Sequence, residues 1–541
     1  MKHGIFEVPT PVNEPVRDYA PGSAERASVE AHLHEMHGNQ VEIPVVIGGE
    51  KVHTGQTADC VEPHDHHHKL GQYHKAGTAE VEQAIAASRE AWKDWSETPF
   101  ETRAAIFLRA ADLLAGPWRD TLNASTMLGQ SKTVFQAEID AACEMADFLR
   151  YNVAFAEQIY QDQPRSSAGM WNRVEYRALE GFVFAVTPFN FTSIAGNLPS
   201  APAIMGNTVL WKPASSSVYS GHFMMELFRE AGVPDGVINF VPGSGAKVGD
   251  PVMASEHFAG LHFTGSTQVF NGLWSTISNN LEKYGRYPRI VGETGGKDFV
   301  FAHPSADRDE LVTALIRGAF EFQGQKCSAA SRAFIPRSIW NEVRDQLVET
   351  VRTIKMGDPK DFSNFMCAVI DKAAFDSISS YVHEARDASD AQILVGGECD
   401  DSHGYFIQPT VIETTNPKFR SLCEEIFGPV LTVMVYDDDK LDEALTLCDT
   451  GSSYALTGAV FGRDRIAIDR IADRLRHTAG NFYINDKPTG AVVGQQPFGG
   501  GRASGTNDKA GSWLNMIRWC SPRTMKETFV PATEYRYPHM G

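Results

Sequence analysis

The stretch GFVFAVT, residues 181–187, decides the fold class of this chain. Its residues are apolar almost throughout instead of alternating with polar ones, which is typical of a strand covered on both faces of a sheet. Similar short runs follow at residues 208–213, 237–241 and 260–264, and helical patterns fill the gaps between them. Strands that alternate with helices at this spacing predict a parallel, doubly wound α/β sheet.

The rest of the chain predicts a second domain and an N-terminal arm. A second alternating series begins near Phe299 and continues to about residue 487. Because 541 residues exceed what one compact core accommodates, we expect two consecutive α/β domains. Residues 1–40 are polar and carry prolines at positions 9, 11, 15 and 21, so we interpret them as an arm wrapped over the body.

Composition excludes several classes of partner. The formal net charge is -19, and an acidic surface repels a phosphate backbone, so nucleic acid is not expected to bind. No apolar stretch approaches the roughly 20 residues that a membrane span needs. We therefore expect a small-molecule substrate, with neither nucleic acid nor a membrane as a partner.

The cysteines and the N-terminus predict a reducing compartment. The eight cysteines are scattered and form no C-x-x-C pair, which argues against zinc and against a disulfide framework. The first seven residues lack the pattern of a signal or transit peptide, so we expect the cytoplasm, or the mitochondrial matrix if the source is eukaryotic. The run His64-Asp65-His66-His67-His68 is interpreted as a solvated turn between two short strands, with no metal.

Cys327 and Glu293 form the candidate catalytic pair. Cys327 lies in the run GQKCSAASR, residues 324–332, and Glu293 lies upstream in GETGGK, residues 292–297. A thiol followed by small residues is a candidate nucleophile, and a carboxylate ahead of two glycines is a candidate base. Acylating a thiol and then hydrolysing the thioester requires both groups. The alternative is a buried, inert thiol beside a surface acid.

Several strand ends carry residues that suit a dinucleotide. The run GSGAKVG, residues 243–249, resembles a dinucleotide fingerprint with the wrong final spacing, and a plain turn explains it equally well. Phe263–Thr267 ends a strand and opens a helix, where a pyrophosphate or a simple helix cap would fit. Lys212 and Asn190 also end strands. Lys212 is interpreted as a ligand-binding cation or as a solvated lysine, and Asn190 as an oxyanion donor or as a helix cap.

Seven motifs, in order from about residue 180 to 510, resemble the aldehyde dehydrogenase superfamily. They are Thr187–Phe191, Trp211–Pro213, Phe263–Thr267, Glu293–Lys297, Gly324–Ser328, Glu425–Val430 and Pro497–Gly505. The resemblance implies a Rossmann-type dinucleotide-binding domain, a second α/β catalytic domain and a β-hairpin oligomerisation arm. It assigns residues 1–162 and 178–298 to the first domain, 299–504 to the second, and 163–177 with 505–541 to the arm of a homodimer or dimer-based higher oligomer.

The resemblance also implies a role for each motif residue. Cys327 is the nucleophile, Glu293 is the base for deacylation, and Asn190 with the Cys327 backbone N–H forms the oxyanion hole. The residues implied to hold NAD are Lys212, Ser215, Gly245, Gly265, Ser266, Glu425 and Phe427. The residues implied to bind the substrate are Ser328, Gly490 and Ala491 at its α-carboxylate and Phe498 at its methylenes.

One departure concerns the cofactor. Many members carry a glutamate three residues after the strand-end lysine, where this chain has Ser215. Without that acid a 2′-phosphate meets less repulsion. NAD is expected as the cofactor, and this loss of repulsion leaves NADP as a weaker alternative.

The substrate is implied by the segment from Asn485 to Lys509. Asn485–Gly500 and Ser504–Lys509 are similar to the members that oxidise L-glutamate γ-semialdehyde, formed from Δ1-pyrroline-5-carboxylate, to L-glutamate in the second step of proline degradation. Another semialdehyde dehydrogenase, such as one for succinate semialdehyde, differs only in the carboxylate contacts. A non-catalytic protein on this scaffold is a third alternative, against which Cys327 and Glu293 argue.

Overall fold

The computed structural model describes residues 6–541. Residues 1–5, part of the predicted arm, lie outside the described residues. Helices up to residue 293 are α1 (Ala24–Gly38), α2 (Thr78–Trp95), α3 (Phe100–Ala115), α4 (Arg119–Gln130), α5 (Val134–Ala137), α6 (Met145–Gln161), α7 (Thr192–Ile204), α8 (Val218–Ala231), α9 (Gly245–Ala254), α10 (Thr267–Asn279) and α11 (Leu281–Tyr284). Strands in this part are β1 (Val41–Ile43), β2 (Val45–Ile47), β3 (Glu50–Val52), β4 (Thr57–Glu62), β5 (Asp65–His74), β6 (Met170–Arg177), β7 (Phe182–Val186), β8 (Thr208–Lys212), β9 (Ile238–Phe240), β10 (Phe258–Thr264) and β11 (Arg289–Glu293).

The first domain is built on a seven-stranded sheet in the order β11-β10-β7-β8-β9-β2-β3. The five strands from β11 to β9 are parallel, and the N-terminal strands β2 and β3 add an antiparallel edge. The GFVFAVT stretch forms β7, whose first four residues are buried. The predicted parallel α/β sheet is confirmed, and the carboxyl ends of its parallel strands meet at one edge.

The second domain repeats this architecture in residues 298–484. Its helices are α12 (Arg308–Phe320), α13 (Arg337–Arg352), α14 (Lys372–Asp387), α15 (Arg420–Cys423), α16 (Leu441–Thr450) and α17 (Arg465–Arg474). Its strands, with one short strand just beyond, are β12 (Asp298–Ala302), β13 (Ala330–Pro336), β14 (Ala391–Val395), β15 (Cys399–Asp400), β16 (Phe406–Ile407), β17 (Thr410–Thr414), β18 (Val430–Tyr436), β19 (Tyr454–Ala455), β20 (Thr457–Phe461), β21 (Asn481–Ile484) and β22 (Gly501–Arg502). The main sheet has the order β14-β17-β18-β13-β12-β20-β21, and only β14 is antiparallel.

The C-terminal segment has two parts with different surroundings. Met516 in helix α18 (Trp513–Met516), Trp519 and Cys520 are buried and pack in the core of the first domain, whereas Trp513 and Leu514 are exposed. Strand β23 (Ser521–Thr528) pairs with β6 along its whole length, as a two-stranded antiparallel ribbon. Within the segment predicted for oligomerisation, residues 516–520 therefore pack against the first domain, and the ribbon begins after them.

The histidine-rich turn differs from its prediction. The turn does join two strands, β4 and β5, but the interpretation as a solvated turn is wrong for His64, which is buried. The His64 ring contacts the Glu62 carboxylate at 3.1 Å and the Ser131 hydroxyl at 3.2 Å. The His66 N–H donates to the His403 carbonyl of the second domain. The turn is covered because it docks on that domain, a tertiary contact that local composition does not encode.

Asp140 fixes the start of helix α7, directly after the Asn190 loop. It lies in a π-helical segment, Glu138–Glu144, and its side chain is fully buried. Its carboxylate accepts the Thr192 N–H at 3.0 Å and the Ser193 N–H at 2.8 Å. These are the first two residues of the helix, whose N–H groups have no partner within it. The loop that carries Asn190 is thereby held to the helical layer behind it.

Lys132 connects the same carboxylate to the second domain. Its ammonium is 2.6 Å from Asp140 Oδ2 and lies over two aromatic rings, 4.2 Å from the centroid of Phe191 and 4.3 Å from that of Phe322. Phe191 follows Asn190 and Phe322 precedes the Cys327 loop. A desolvated cation between two ring faces gains cation–π attraction as well as its ion pair.

No helix in the described residues 6–541 is long and apolar enough to cross a membrane.

We predict that Asp140→Ala lowers the free energy of unfolding by about 3–5 kcal/mol, because the change leaves Lys132 as an unpaired buried charge. Asp94→Ala, on the exposed face of α2, is the matched control and should change stability by less than about 0.5 kcal/mol. Urea unfolding followed by circular dichroism measures both. A loss below about 1 kcal/mol for Asp140→Ala would contradict this account of the ion pair.

Candidate active site

Cys327 lies in a loop whose backbone has an unusual conformation. Three consecutive residues before it, Phe322, Gln323 and Gly324, have left-handed φ angles of 51°, 54° and 65°. The buried Gln323 side chain holds this reversal. Its amide donates to the Ser131 and Ala368 carbonyls at 2.9 and 2.8 Å and accepts the Cys367 N–H at 2.9 Å. Cys327 is the most exposed residue of a run that is otherwise buried from Glu321 to Ala330.

The electrostatics around Cys327 keep its thiol protonated at rest. Burial raises the pKa of the thiol well above its usual value, and the negative charges of Asp298, Glu293 and Glu425 raise it further. The Cys327 backbone N–H opposes this by favouring the thiolate. Forming the nucleophile therefore needs help from a bound ligand or from proton transfer.

Glu293 ends strand β11 at the ligand-binding edge of the first sheet. Its Oε2 is buried without a hydrogen-bond partner among the described residues. Burial raises the pKa of Glu293 well above normal, and the nearby charge of Lys509 and the Gly500 N–H lower it in part. A carboxyl with a raised pKa and an unpaired buried oxygen has the properties of a general acid or base.

Glycines allow the two catalytic motifs to meet. A Cβ at Gly296 would lie 2.1 Å from the Cys327 carbonyl oxygen, and one at Gly295 would lie 2.4 Å from the Glu425 carboxylate. The Gly296 N–H donates to Glu425 at 2.9 Å. A side chain at Gly296 would force the two motifs apart, and one at Gly295 would displace the Glu425 carboxylate, so Glu293, Cys327 and Glu425 lie close together.

Asn190 lies on the other side of the Cys327 loop. It is buried, and its amide donates to the Gln325 carbonyl at 3.1 Å. Gln325 is itself held by its own side chain, which accepts the Ile370 N–H at 2.9 Å. The amide plane of Asn190 is therefore fixed relative to the loop that carries Cys327, which lies two residues after Gln325.

The candidate cofactor residues share the edge where the parallel strands end. Lys212 ends β8, is buried, and among residues 6–541 donates only to the Pro213 carbonyl; burial lowers its pKa to about 8. Gly245 begins α9, and a Cβ there would meet open space. Ser266 is exposed and caps α10, with Gly265 before it, while Ser215 begins a 3-10 turn after β8.

Glu425 and Phe427 approach this edge from the second domain. Burial raises the pKa of Glu425 to about 7. Phe427 has a left-handed φ of 58° and packs edge-on against Phe189, with ring centroids 5.8 Å apart. Because Phe189 precedes Asn190, Phe427 lies between Asn190 and the sheet edge that carries the candidate cofactor residues.

The candidate substrate residues lie together on the opposite side of the thiol. The Ser328 hydroxyl is 2.9 Å from the Thr489 hydroxyl, which joins the Cys327 loop to the loop of Gly490 and Ala491. Gly490 has a φ of 92°, a conformation that favours glycine. Phe498 is half-buried and pairs with Ala510 through backbone hydrogen bonds.

Two lysines make this side of the site positive. Lys326 pairs with Glu321 at 3.0 Å, and Lys487 lies 3.8 Å from the same carboxylate and donates to the Thr489 carbonyl at 3.2 Å. Two cations and one anion next to Ser328 leave a net positive charge, which suits a carboxylate ligand.

Sequence reasoning assigned no role to Lys509 or Glu144. The Lys509 ammonium donates to the Gly499 and Gly480 carbonyls, both at 2.9 Å, and faces Glu293. Glu144 is half-buried, accepts from the Ser193 hydroxyl at 3.0 Å, and has a pKa raised to about 8, first by desolvation of its carboxyl and then by Asp140. For Glu144 the sequence did offer a signal, because Asp140 and Glu144 have an i, i+4 spacing on an apolar helix.

The histidine turn also brings possible metal ligands together. In one group the His37 and His68 rings stack with centroids 3.9 Å apart, so their lone pairs lie in nearly parallel planes and do not converge on one ion. The Lys360 ammonium lies 3.2 Å from His37 Nδ1 and repels a cation. The three groups with ligand atoms within 4.8 Å of one another are His37, Glu62 and His68; Glu42, His53 and His74; and Asp65, His67 and His403.

Known proteins resemble this chain over nearly its whole length. The mitochondrial Δ1-pyrroline-5-carboxylate dehydrogenase of Dictyostelium discoideum is 53% identical over 536 residues, covering 98% of this chain and 96% of the relative. The human mitochondrial enzyme of the same name is 47% identical, covering 98% of this chain and 94% of the relative.

A solved structure shares the fold. The Δ-pyrroline-5-carboxylate dehydrogenase of Mycobacterium tuberculosis, described as bound with NAD, is 54% identical, with a TM-score of 0.96 and 99% of each chain covered. The model of the aldehyde dehydrogenase family matches residues 51–521. This chain therefore belongs to the aldehyde dehydrogenase family.

Proposed function

We propose that this chain oxidises L-glutamate γ-semialdehyde, formed from Δ1-pyrroline-5-carboxylate, to L-glutamate with NAD, the second step of proline degradation. The observation that carries the proposal is a single site in which Cys327, Glu293 and Asn190 meet between a dinucleotide-type sheet edge and the positive Ser328 side. The full-length similarity to Δ1-pyrroline-5-carboxylate dehydrogenases supports the choice of substrate over succinate semialdehyde.

The sheet edge fits NAD. Lys212 offers a buried ammonium without a carboxylate partner among the described residues, and the exposed Ser266 begins a helix whose N–H groups suit a pyrophosphate. Glu425 would accept from a ribose hydroxyl, and Phe427 would contact the nicotinamide end. When bound, NAD supplies the acceptor for the hydride that the substrate carbon loses.

Cys327 performs the covalent step. Its thiol gives its proton to a water molecule when the substrate enters, and the resulting thiolate forms a bond to the aldehyde carbon while the carbonyl π electrons move to the oxygen. One N–H of Asn190 is used by Gln325, so the other would donate to this oxyanion, together with the Cys327 backbone N–H. When the carbon loses its hydride, the C=O bond re-forms and a thioester remains on Cys327.

Glu293 completes the reaction. Its carboxylate takes a proton from water, whose oxygen attacks the thioester carbon; the C–S bond then breaks and the Cys327 thiolate leaves. The substrate is held during both steps through its α-carboxylate, by the Ser328 hydroxyl and the N–H groups of Gly490 and Ala491. Phe498 would pack on its methylenes.

We propose a homodimer, or a higher oligomer built from dimers, formed through the ribbon of β6 and β23 and the C-terminal tail. Trp171 on the ribbon is 51% exposed, and Phe529 and Val530 beyond it are 61% and 84% exposed. Exposed apolar side chains that lie close together along a chain are typical of an interface. A monomer in sedimentation equilibrium would rule this out.

The cysteines and the names of the relatives support a proposal for the compartment. The eight cysteines are free, which agrees with a reducing environment. We propose the cytoplasm, or the mitochondrial matrix in a eukaryotic source, as in the relatives with mitochondrial names.

The activity is tested by reduced-nicotinamide absorbance. With Δ1-pyrroline-5-carboxylate we expect NAD reduction with kcat/KM at least about tenfold above that for succinate semialdehyde, because the carboxylate contacts are shaped for the longer substrate. NADP should be slower than NAD. Equal kcat/KM values for the two aldehydes would favour the succinate semialdehyde alternative, and no reduction with either would favour a non-catalytic protein.

Glu293→Gln should retain a pre-steady-state burst of NADH and lose turnover by about 10²–10⁴-fold, because the thioester forms but is not hydrolysed. Rapid mixing separates the burst from the steady state. Asn190→Ala is the comparison: it should slow the burst itself by about 10²–10³-fold. If Glu293→Gln lost burst and turnover equally, Glu293 would have another role.

Lys509 sets the pH dependence of hydrolysis. Its positive charge lowers the pKa of Glu293, and Glu293 must be deprotonated to act as a base. Lys509→Met should therefore raise the pKa of Glu293 further and move the acid limb of the kcat profile to higher pH. Lys509→Arg keeps the charge and should leave the limb near its wild-type position. An unmoved limb in Lys509→Met would exclude this electrostatic role.

A further inference from the structure

Residues 6–23, the described part of the N-terminal arm before α1, are anchored firmly although they form no helix or strand. The Glu14 N–H donates to Asp147 Oδ1 at 2.7 Å, and the Glu14 carboxylate accepts from Arg119 and Arg150 at 2.6 and 2.8 Å. The Tyr19 hydroxyl, buried, donates to Glu138 at 2.7 Å. The arm therefore has a fixed position along α6 and the π-helical segment before it.

Asn13 uses all of its side-chain hydrogen-bonding capacity within this arm. Its Nδ2 donates to Asp147 Oδ2 at 2.8 Å and to the Val493 carbonyl at 2.9 Å. Its Oδ1 accepts from the Gln495 amide at 2.9 Å and from the Tyr151 hydroxyl at 3.3 Å. An amide has two N–H donors and two acceptor sites, so all four are occupied. Two of the bonds go to α6 and two go to the loop at residues 490–496.

The loop contacted by Asn13 is the one that would hold the substrate carboxylate. Val493 is two residues after Ala491, and its side chain is buried. Gly494 has a φ of 80°, and a Cβ there would lie 2.2 Å from the Tyr151 ring. The loop is thus pressed against α6, and Asn13 ties it there.

We propose that Asn13 is a positioning residue for the substrate, through which the N-terminal arm sets the place of the Gly490 and Ala491 N–H groups. The inference rests on the proposed function. Without the Asn13 amide, the Val493 carbonyl loses its only side-chain donor among the described residues, and the buried Asp147 loses one of two donors. The loop at residues 490–496 then adopts several positions, and the α-carboxylate of the substrate binds to only one of them.

The test measures binding of L-glutamate, the proposed product, and of NAD to the intact enzyme. In Asn13→Ala we expect the inhibition constant of L-glutamate and the KM of the semialdehyde to rise about tenfold, the effect of losing about one hydrogen bond to a fixed partner. The KM of NAD and the hydride burst at saturating substrate should stay within about twofold of wild type, because neither depends on this loop.

Two further variants make the result specific. Val12→Ala, on the same arm with a side chain that is 69% exposed, is the matched control and should leave all constants unchanged. Gln495→Ala cuts the same link from the loop side at an exposed residue. Its effect should not add to that of Asn13→Ala in the double variant, since both remove one connection.

The outcomes separate this inference from the proposed function. An unchanged L-glutamate constant in Asn13→Ala, or an equal loss of NAD affinity, would overturn the positioning role while leaving the activity in place. Additive effects of Asn13→Ala and Gln495→Ala would also overturn it. If the wild-type enzyme neither binds L-glutamate nor oxidises the semialdehyde, the proposed function itself fails.

Discussion

The close approach of Gly296 to the Cys327 main chain is the constraint on which the site depends. Glu293 belongs to the last parallel strand of the first domain, and Cys327 precedes a strand of the second. Only a residue without a side chain lets the two backbones come within van der Waals distance. The candidate catalytic pair is therefore a property of the domain junction, and neither domain contains it alone.

Burial at this junction gives the chemical groups their character. The thiol of Cys327 and the carboxyls of Glu293 and Glu425 all have raised pKa values, chiefly because water is excluded. The Glu293 carboxyl keeps one buried oxygen without a hydrogen-bond partner among the described residues, and burial favours the protonated thiol of Cys327. Positive charge that compensates these acidic groups comes from different edges of the site, where Lys509, Lys212, Lys326 and Lys487 lie.

The sequence predicted most of the fold, for physical reasons that also explain the failures. Strands such as β7 are buried on both faces, so their continuous apolar runs are visible without a structure. His64 was misjudged because its burial comes from docking on a distant domain. Lys509 was missed because its closest contacts are to backbone carbonyls, which any sequence supplies. The structure brings Cys327 and Glu293 close together, and the roles assigned to the site residues remain predictions.

The link between Asn13 and Val493 joins positions 480 residues apart. The arm leaves the ribosome long before its partner loop. Docking of the arm must therefore wait until the loop at residues 490–496 has been synthesised, and closing so long a loop carries an entropic cost that local packing has to offset first. The loop proposed to hold the substrate carboxylate thus reaches its final place only after both seven-stranded sheets have been synthesised.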